Sequence, residues 1–182
     1  QLFAERSYAI LMDRSAFAAR VNPLLSEAFS LLTGQADVLQ LEVHASLTGS
    51  VEAMTETLAR SRDSEARMGH ALYGPHRDDV RLSFGGGRRD ALFSQGEYRA
   101  ALLALQLALG RLLETERGFR PVLILDDVFS ELDASVRERL LHYLPRLANQ
   151  MFITTTEWTE PMHVPGARIM EIQAGRVAAL KD

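Results

Sequence analysis

The chain has 182 residues, 47% hydrophobic and 24% charged, with a net charge of -4 and no cysteine. A chain of this length buries roughly 70% of its unfolded surface and can build a core without staples. The lack of cysteine excludes a disulfide framework, a thiolate metal site and a cysteine nucleophile. Of the 20 basic residues, 19 are arginine, and the one lysine is Lys181, beside the last residue. An internal Schiff-base lysine and a phosphate-loop lysine are therefore excluded from these residues. The acidic balance advertises no general affinity for nucleic acid. The most apolar run, Ala100 to Gly110, is broken by Gln106 and flanked by Arg99 and Arg111, too short to span a bilayer, and no stretch reads as a targeting segment.

Residues 1–32 carry apolar side chains at helical spacing (Leu2, Tyr8, Leu11, Phe17, Val21, Leu24, Leu25, Phe29), which predicts one long helix ending at Gly34. Pro23 is expected to kink or divide it, because proline lacks the amide and clashes with the preceding turn. A chain opening in mid-helix is expected to start inside a larger protein. Residues 37–47 read as a strand with Val38, Leu41 and Val43 on its rhythm and Leu39 off it. Residues 51–68 form a second helix with Glu and Arg at three- and four-residue spacings, the mark of a solvated face. After a turn at Gly74-Pro75, Val80, Leu82 and Phe84 alternate, Gly85-Gly86-Gly87 turns, and residues 90–93 return as a hairpin. Residues 95–116 are a strongly apolar helix stopping near Gly118. Residues 121–125 are a continuous apolar strand, which implies burial on both faces and a parallel sheet. A helix over 134–148, a strand over 151–154 and a terminal meander turning at Gly175 complete an α/β order. The stretch 69–75 is the best boundary.

Three segments carry chemistry. The strand Pro121 to Leu125 runs out into Asp126 and Asp127. Ligands in open α/β sheets sit at the carboxyl ends of strands, where one carboxylate can hold Mg²⁺ against a phosphate and its neighbour can orient a water. A strand-end Asp kept only for solubility is the plainer alternative. Second, Ser94-Gln95-Gly96-Glu97 is a capping box opening an apolar helix. A cap explains Ser94 and Glu97, but Gly96 costs a helix about 0.5–1 kcal/mol relative to alanine, and close approach of a phosphate gives it a reason. Third, Ser130-Glu131-Leu132-Asp133 leads to the next helix, with Asp133 as its N-cap. Arg77, Arg88 and Arg89 can meet phosphates, although a solvated charged turn accounts for them equally well. No spacing of the five histidines reads as zinc, His76 reads as structural, and Trp158 as packing on a sheet edge.

In this order and at these distances, Phe93-Ser94-Gln95-Gly96-Glu97, Leu123 to Asp127 and Ser130 to Asp133 resemble the signature motif, Walker B strand and D-loop of an ABC-type ATPase head. Gly74-Pro75-His76-Arg77-Asp78-Asp79, Arg99 and Phe152-Ile153-Thr154-Thr155-Thr156 narrow the resemblance to the RecF family of DNA replication and repair proteins. The fold it implies is α/β, the C-terminal part of a P-loop ATPase head with a parallel sheet and flanking helices. Residues 1–72 would be the returning part of a mostly helical arm and 73–182 the head.

The cofactors implied are ATP and Mg²⁺. The resemblance gives Asp126 the metal and Asp127 the position where most relatives carry a catalytic glutamate, so slow hydrolysis is expected. Ser94, Gln95, Gly96 and Glu97 would face nucleotide held by a second subunit, with Asp133 at the dimer seam and Thr156 where transporters carry a switch histidine. Tyr98 departs from the expected polar residue after the signature. The phosphate loop and its lysine are absent from these residues, so the chain alone is expected to be inactive, while the intact protein is expected to be a weak DNA-stimulated ATPase. The implied partners are gapped or junction DNA, a second copy on ATP binding, RecO, RecR and the recombinase RecA, and the implied place is the cytoplasm and nucleoid, in the SOS response. An SMC or Rad50 head, a transporter ATPase, a non-enzymatic docking module and a metal phosphatase are the alternatives.

Overall fold

A computed structural model describes residues 1–85, 93–130, 132–146, 150–156 and 166–181. Among these residues, four α-helices and six strands follow one another: α1 (Leu2–Thr33), β1 (Leu39–His44), α2 (Val51–Met68), β2 (Asp79–Phe84), α3 (Gln95–Arg117), β3 (Val122–Leu125), α4 (Ala134–Tyr143), β4 (Gln150–Ile153), β5 (Ile169–Gln173) and β6 (Arg176–Lys181). They group into two compact units. The first comprises residues 1–30 and 35–92, the second residues 31–34 and 93–182. The stretch 69–75 lies inside the first.

In the first unit, α1 runs unbroken through Pro23, so the proline does not divide it. The residue before that proline carries part of the fold. Asn22 pairs with Leu41 through two bonds: its Nδ2 donates to the Leu41 carbonyl at 3.3 Å, and the Leu41 N–H donates to its Oδ1 at 2.8 Å. Ser26 Oγ, one turn on, donates to the Leu39 carbonyl at 2.7 Å. These are the β1 groups that point away from β2, which pairs antiparallel on the other side with Leu39 opposite Phe84 and Leu41 opposite Leu82. The inward phase of β1 is thus Leu39, Leu41 and Val43. Leu39 is fully buried, whereas Val38, expected on the rhythm, is exposed ahead of the strand. Phe84 meets Phe29 with ring centroids 5.6 Å apart, and Ala4, Leu47 and Met54 form a second buried cluster with Leu11 and Tyr73 against it. β2 therefore finds its partner in β1. The hairpin turn at Gly86-Gly87 and most of its expected return over 90–93 lie outside the described residues.

The segment Gly74 to Asp79 is wired through Asp78, whose side chain is 5% exposed. It accepts from Arg14 Nη1 at 2.6 Å and from the Ser46 N–H at 2.9 Å, while Arg14 also donates to the Pro75 carbonyl. Ser46 Oγ accepts the Gly74 N–H and donates to the Gly74 carbonyl. Gly74 has φ 137°, and a Cβ there would stand 2.8 Å from the Phe3 ring. Both facts require glycine, so Gly74→Ala should destabilise the first unit by about 1–3 kcal/mol, read as a shift in its denaturant midpoint.

In the second unit, β3 and β4 pair in parallel with Leu125 opposite Ile153, as the apolar run predicts. Burial on both faces does not hold: Leu125 is buried, but Val122 and Ile124 are 55% and 67% exposed, because no described element covers that face of the pair. α3 buries Ala100, Ala104, Leu107 and Ala108 along one stripe, and Gly118 at φ 72° stops it with its N–H on the Glu114 carbonyl. α4 is shorter than expected. It gives way at Leu144 to a 3₁₀ turn containing Pro145, whose missing amide ends the α-helical ladder. Gly34, at φ 71°, lies under the Arg139 guanidinium, which a Cβ would overlap.

The terminal meander turns at Ala174-Gly175, between paired Gln173 and Arg176. Both turn residues have positive φ, 48° and 74°, the twist a two-residue hairpin needs. Alanine is strained there, so Ala174→Asn should stabilise the hairpin by about 1 kcal/mol, visible as a higher melting temperature.

Candidate functional site

The end of β3 is an acidic turn. Leu125 anchors the strand in the core, and the chain then leaves it, exposing Asp126 and Asp127. Asp127 has φ 45°, a left-handed conformation that Asp tolerates better than most residues. One side chain of the neighbouring strand holds this turn. The Thr154 N–H donates to the Leu125 carbonyl at 3.0 Å, extending the ladder by one step. Its Oγ1 accepts the Asp127 N–H at 2.8 Å and donates to Asp126 Oδ1 at 2.5 Å. Ser130 Oγ donates to the Asp127 carbonyl at 3.0 Å, closing the turn on its other side.

From there the loop sinks into the core through Phe129 and Leu132, both buried. Arg137, from the first turn of α4, donates through Nη2 to the Phe129 carbonyl at 2.9 Å and more weakly to that of Leu132. Asp133 then caps α4, its Oδ1 accepting the Val136 N–H at 3.0 Å and the Ser135 hydroxyl at 2.8 Å. Those two bonds, in that order, hold its carboxyl below the ordinary range, with a smaller contribution from Arg139. A lowered carboxyl stabilises above its unfolded pKa of about 3.9 and loses that contribution as pH falls through its folded value. Asp133→Asn keeps the acceptor and removes the charge, so the acid-side loss of α4 protection should flatten, measured by hydrogen exchange at the Val136 amide.

The opposing wall belongs to α3. Ser94 is exposed and makes a full capping box: its Oγ accepts the Glu97 N–H at 3.2 Å, and Glu97 Oε2 accepts the Ser94 N–H at 2.9 Å. Gln95 and Gly96 are exposed beside it. A Cβ on Gly96 meets nothing within 4 Å among the described residues, so no packing among them calls for glycine at that position. Tyr98 is half exposed and packs edge-on against Phe93, with centroids 6.2 Å apart. One helical face further along, Arg99, Leu102, Leu103 and Gln106, lines a cleft shared with Asp126, Asp127, Val128 and Leu132. α3 thus presents its capped tip to solvent and its second and third turns to the acidic turn.

The remaining expected positions separate from this cluster. Thr156 is exposed, two residues beyond Thr154. Arg77 lies in the first unit, exposed, with Nε on the Ala71 carbonyl, and His76 is exposed beside it. Arg88, Arg89, Glu131 and Trp158 lie outside the described residues. Sequence reasoning missed Thr154 and Arg137. The signal for Thr154 was a hydroxyl directly after an apolar strand, but only the β3–β4 register sets it against Asp126.

Among the described residues no three His, Asp or Glu side chains gather to hold a metal by themselves. A Mg²⁺ bridged to phosphate needs only one or two carboxylates and keeps its waters. An exposed Asp126 with Oδ1 engaged by Thr154 meets that requirement. Among the described residues no helix is long and apolar enough to cross a membrane.

No family profile matches the chain. It is 35% identical over 182 residues to the DNA replication and repair protein RecF of Anaeromyxobacter dehalogenans, covering 94% of this chain and 49% of that protein. It is 40% identical over 137 residues to RecF of Geobacillus thermodenitrificans, covering 74% of this chain and 37% of that one. A solved structure of the recombination mediator protein RecF with ATP superposes with a TM-score of 0.67 at 26% identity, over 85% of this chain and 43% of that chain. The head domain of an Smc protein from Pyrococcus yayanosii superposes at 0.57 with 15% identity, over 97% of this chain and 29% of its own, a likeness of fold alone. The architecture is therefore the α/β fold of part of an ABC-type ATPase head, and the chain spans about half the length, or less, of the curated relatives it matches. It is a RecF-like chain.

Proposed function

We propose that the chain supplies the signature-helix and Walker B side of an ATP-gated, RecF-type protein that acts on DNA in repair and replication. One observation carries the reading: a serine-capped helix tip with an unpacked glycine and an acidic strand end lie in the same compact unit, both open to solvent. Identity of 35–40% to RecF proteins, against 15% to the Smc head, favours this branch. In this reading residues 1–72 are the returning part of an arm and 73–182 belong to the head.

Asp126 would hold Mg²⁺, which supplies charge neutralisation at the phosphates. Asp127 orients the attacking water. Ser94, Gln95 and Gly96 offer a hydroxyl, backbone N–H groups and close approach to the terminal phosphate of nucleotide on a second copy, Glu97 fixes the cap, Asp133 lies at the seam, and Thr156 sits at the rim. Nucleotide bonded from both sides stabilises the dimer by its differential affinity for the closed state. DNA, with Arg77, Arg88 and Arg89 on phosphates, RecO, RecR and RecA are the partners in this scheme, and the ATPase is weak and DNA-stimulated. This chain by itself, without a phosphate-loop lysine, hydrolyses no ATP.

The test uses the full-length protein. Light scattering should show an ATP-dependent dimer that Ser94→Arg abolishes without loss of monomer nucleotide binding. An ATP-dependent dimer that forms equally well with Ser94→Arg would overturn the reading.

A further inference from the structure

We propose that Arg137 is a positioning residue that fixes the orientation of Asp127 through the loop between them. The inference rests on the ATPase reading, in which Asp127 orients the attacking water, and adds a residue to it. α4 by itself gives Arg137 no favourable place. The residue lies in the first turn, against the positive end of the helix dipole, and that turn holds no acidic residue. Its Nε is buried without a hydrogen-bond partner, and no carboxylate among the described residues forms an ion pair with it. A guanidinium drawn partly out of water without a counter-charge costs stability, and a buried donor left unpaired in a folded protein calls for a reason. The groups it touches supply one.

Arg137 Nη2 donates to the carbonyls of Phe129 at 2.9 Å and Leu132 at 3.4 Å, the two buried residues of the loop. The peptide group joining Phe129 to Ser130 is therefore held at both ends. Its carbonyl accepts from Arg137, and its N–H donates to the Asp127 carbonyl at 3.4 Å. A peptide group is planar and stiff, so tilting one end moves the other. Ser130 Oγ reaches the same Asp127 carbonyl at 3.0 Å, and the Asp127 N–H sits on Thr154 Oγ1 at 2.8 Å. The backbone of Asp127, at φ 45°, is thus gripped from both sides, and on the α4 side the grip ends in one guanidinium. Without it the carbonyls of two buried residues lose their donor. The loop then turns them toward water and carries Asp127 along.

The experiment uses the full-length protein and compares wild type, Arg137→Met, Asp127→Asn and the double variant by steady-state ATP hydrolysis and equilibrium nucleotide binding. Methionine keeps the packing of the arginine stem and removes the donors. Arg137→Met should lower kcat roughly 10- to 100-fold, the scale of a misplaced catalytic group, with nucleotide affinity unchanged. In the Asp127→Asn background the same change should cost at most about twofold, because a residue acting through Asp127 has nothing left to orient. Without nucleotide, hydrogen exchange at the Asp127 amide should quicken in Arg137→Met. Should that variant fold poorly, Arg137→Lys, which keeps the charge and can reach a single carbonyl, should show the same pattern with a smaller loss. Full turnover in the Arg137 variants, an equal fractional loss with and without Asp127→Asn, or unchanged exchange at the Asp127 amide overturns the inference alone. Wild-type turnover by Asp127→Asn overturns the ATPase reading, and this proposal with it.

Discussion

Asp127→Asn in the full-length protein should lower the turnover of ATP by roughly 10²- to 10⁴-fold, the usual contribution of a positioned general base, with nucleotide affinity nearly unchanged. Asparagine is the informative replacement because of the backbone. Asp127 has φ 45°, a conformation that asparagine shares with aspartate at little cost. Its N–H can still reach Thr154, and only the basicity of the side chain is lost. Steady-state hydrolysis and equilibrium binding of a fluorescent ATP analogue separate the two effects. Asp127→Glu probes the same point from the other side. The longer carboxylate should raise turnover by reaching the water more closely, and it should cost about 1 kcal/mol of stability at a left-handed position. A rise in turnover would mean that aspartate, one methylene short, limits the rate in the proposed mechanism.

Asp78→Ala should destabilise the first unit by about 2–4 kcal/mol. The side chain is 5% exposed, and it satisfies the Ser46 N–H, the Ser46 hydroxyl and Arg14 together. Removing it leaves the Ser46 N–H without its acceptor, the Ser46 hydroxyl with only the Gly74 carbonyl and Arg14 with only the Pro75 carbonyl. Arg14 is 39% exposed and can turn to water, which keeps the expected loss below that of a fully buried pair. Asp78→Asn should lose less, because an amide oxygen still accepts from Ser46. Urea titration followed by circular dichroism gives the magnitude, and exchange of the Ser46 amide locates it.

The sequence made much of this legible because its local signals agree. Ser94 and Gly118 bracket α3, with the cap and left-handed stop found in the structure. The parallel pairing of β3 and β4 followed from five apolar residues in a row. What failed was non-local. The apolar content of Val122 and Ile124 says that a surface must be covered without saying that the cover lies within these residues. The partner of β2 was taken to be the next segment, since a triple glycine advertises a hairpin, yet β1 lies across from it, 35 residues earlier at the His44–Asp79 end and still further at Leu39–Phe84. Pro23 reads as a breaker in any propensity scale, and tertiary bonds from Asn22 and Ser26 to β1 override it. For the site, the acidic pair and the capped helix were plain from residue type and spacing. Thr154 was not, because three consecutive threonines look alike until strand register selects one.

The two bonds from Asn22 to Leu41 have a bearing on how copies of this protein behave at high concentration. The outward N–H and C=O of Leu41 are the groups through which a foreign strand would zip onto β1. With an amide side chain already seated on them and Ser26 on the next carbonyl, that border offers no template for fibrillar growth. Asn22→Leu would keep the helix and unmask the border, so that the variant should polymerise during refolding.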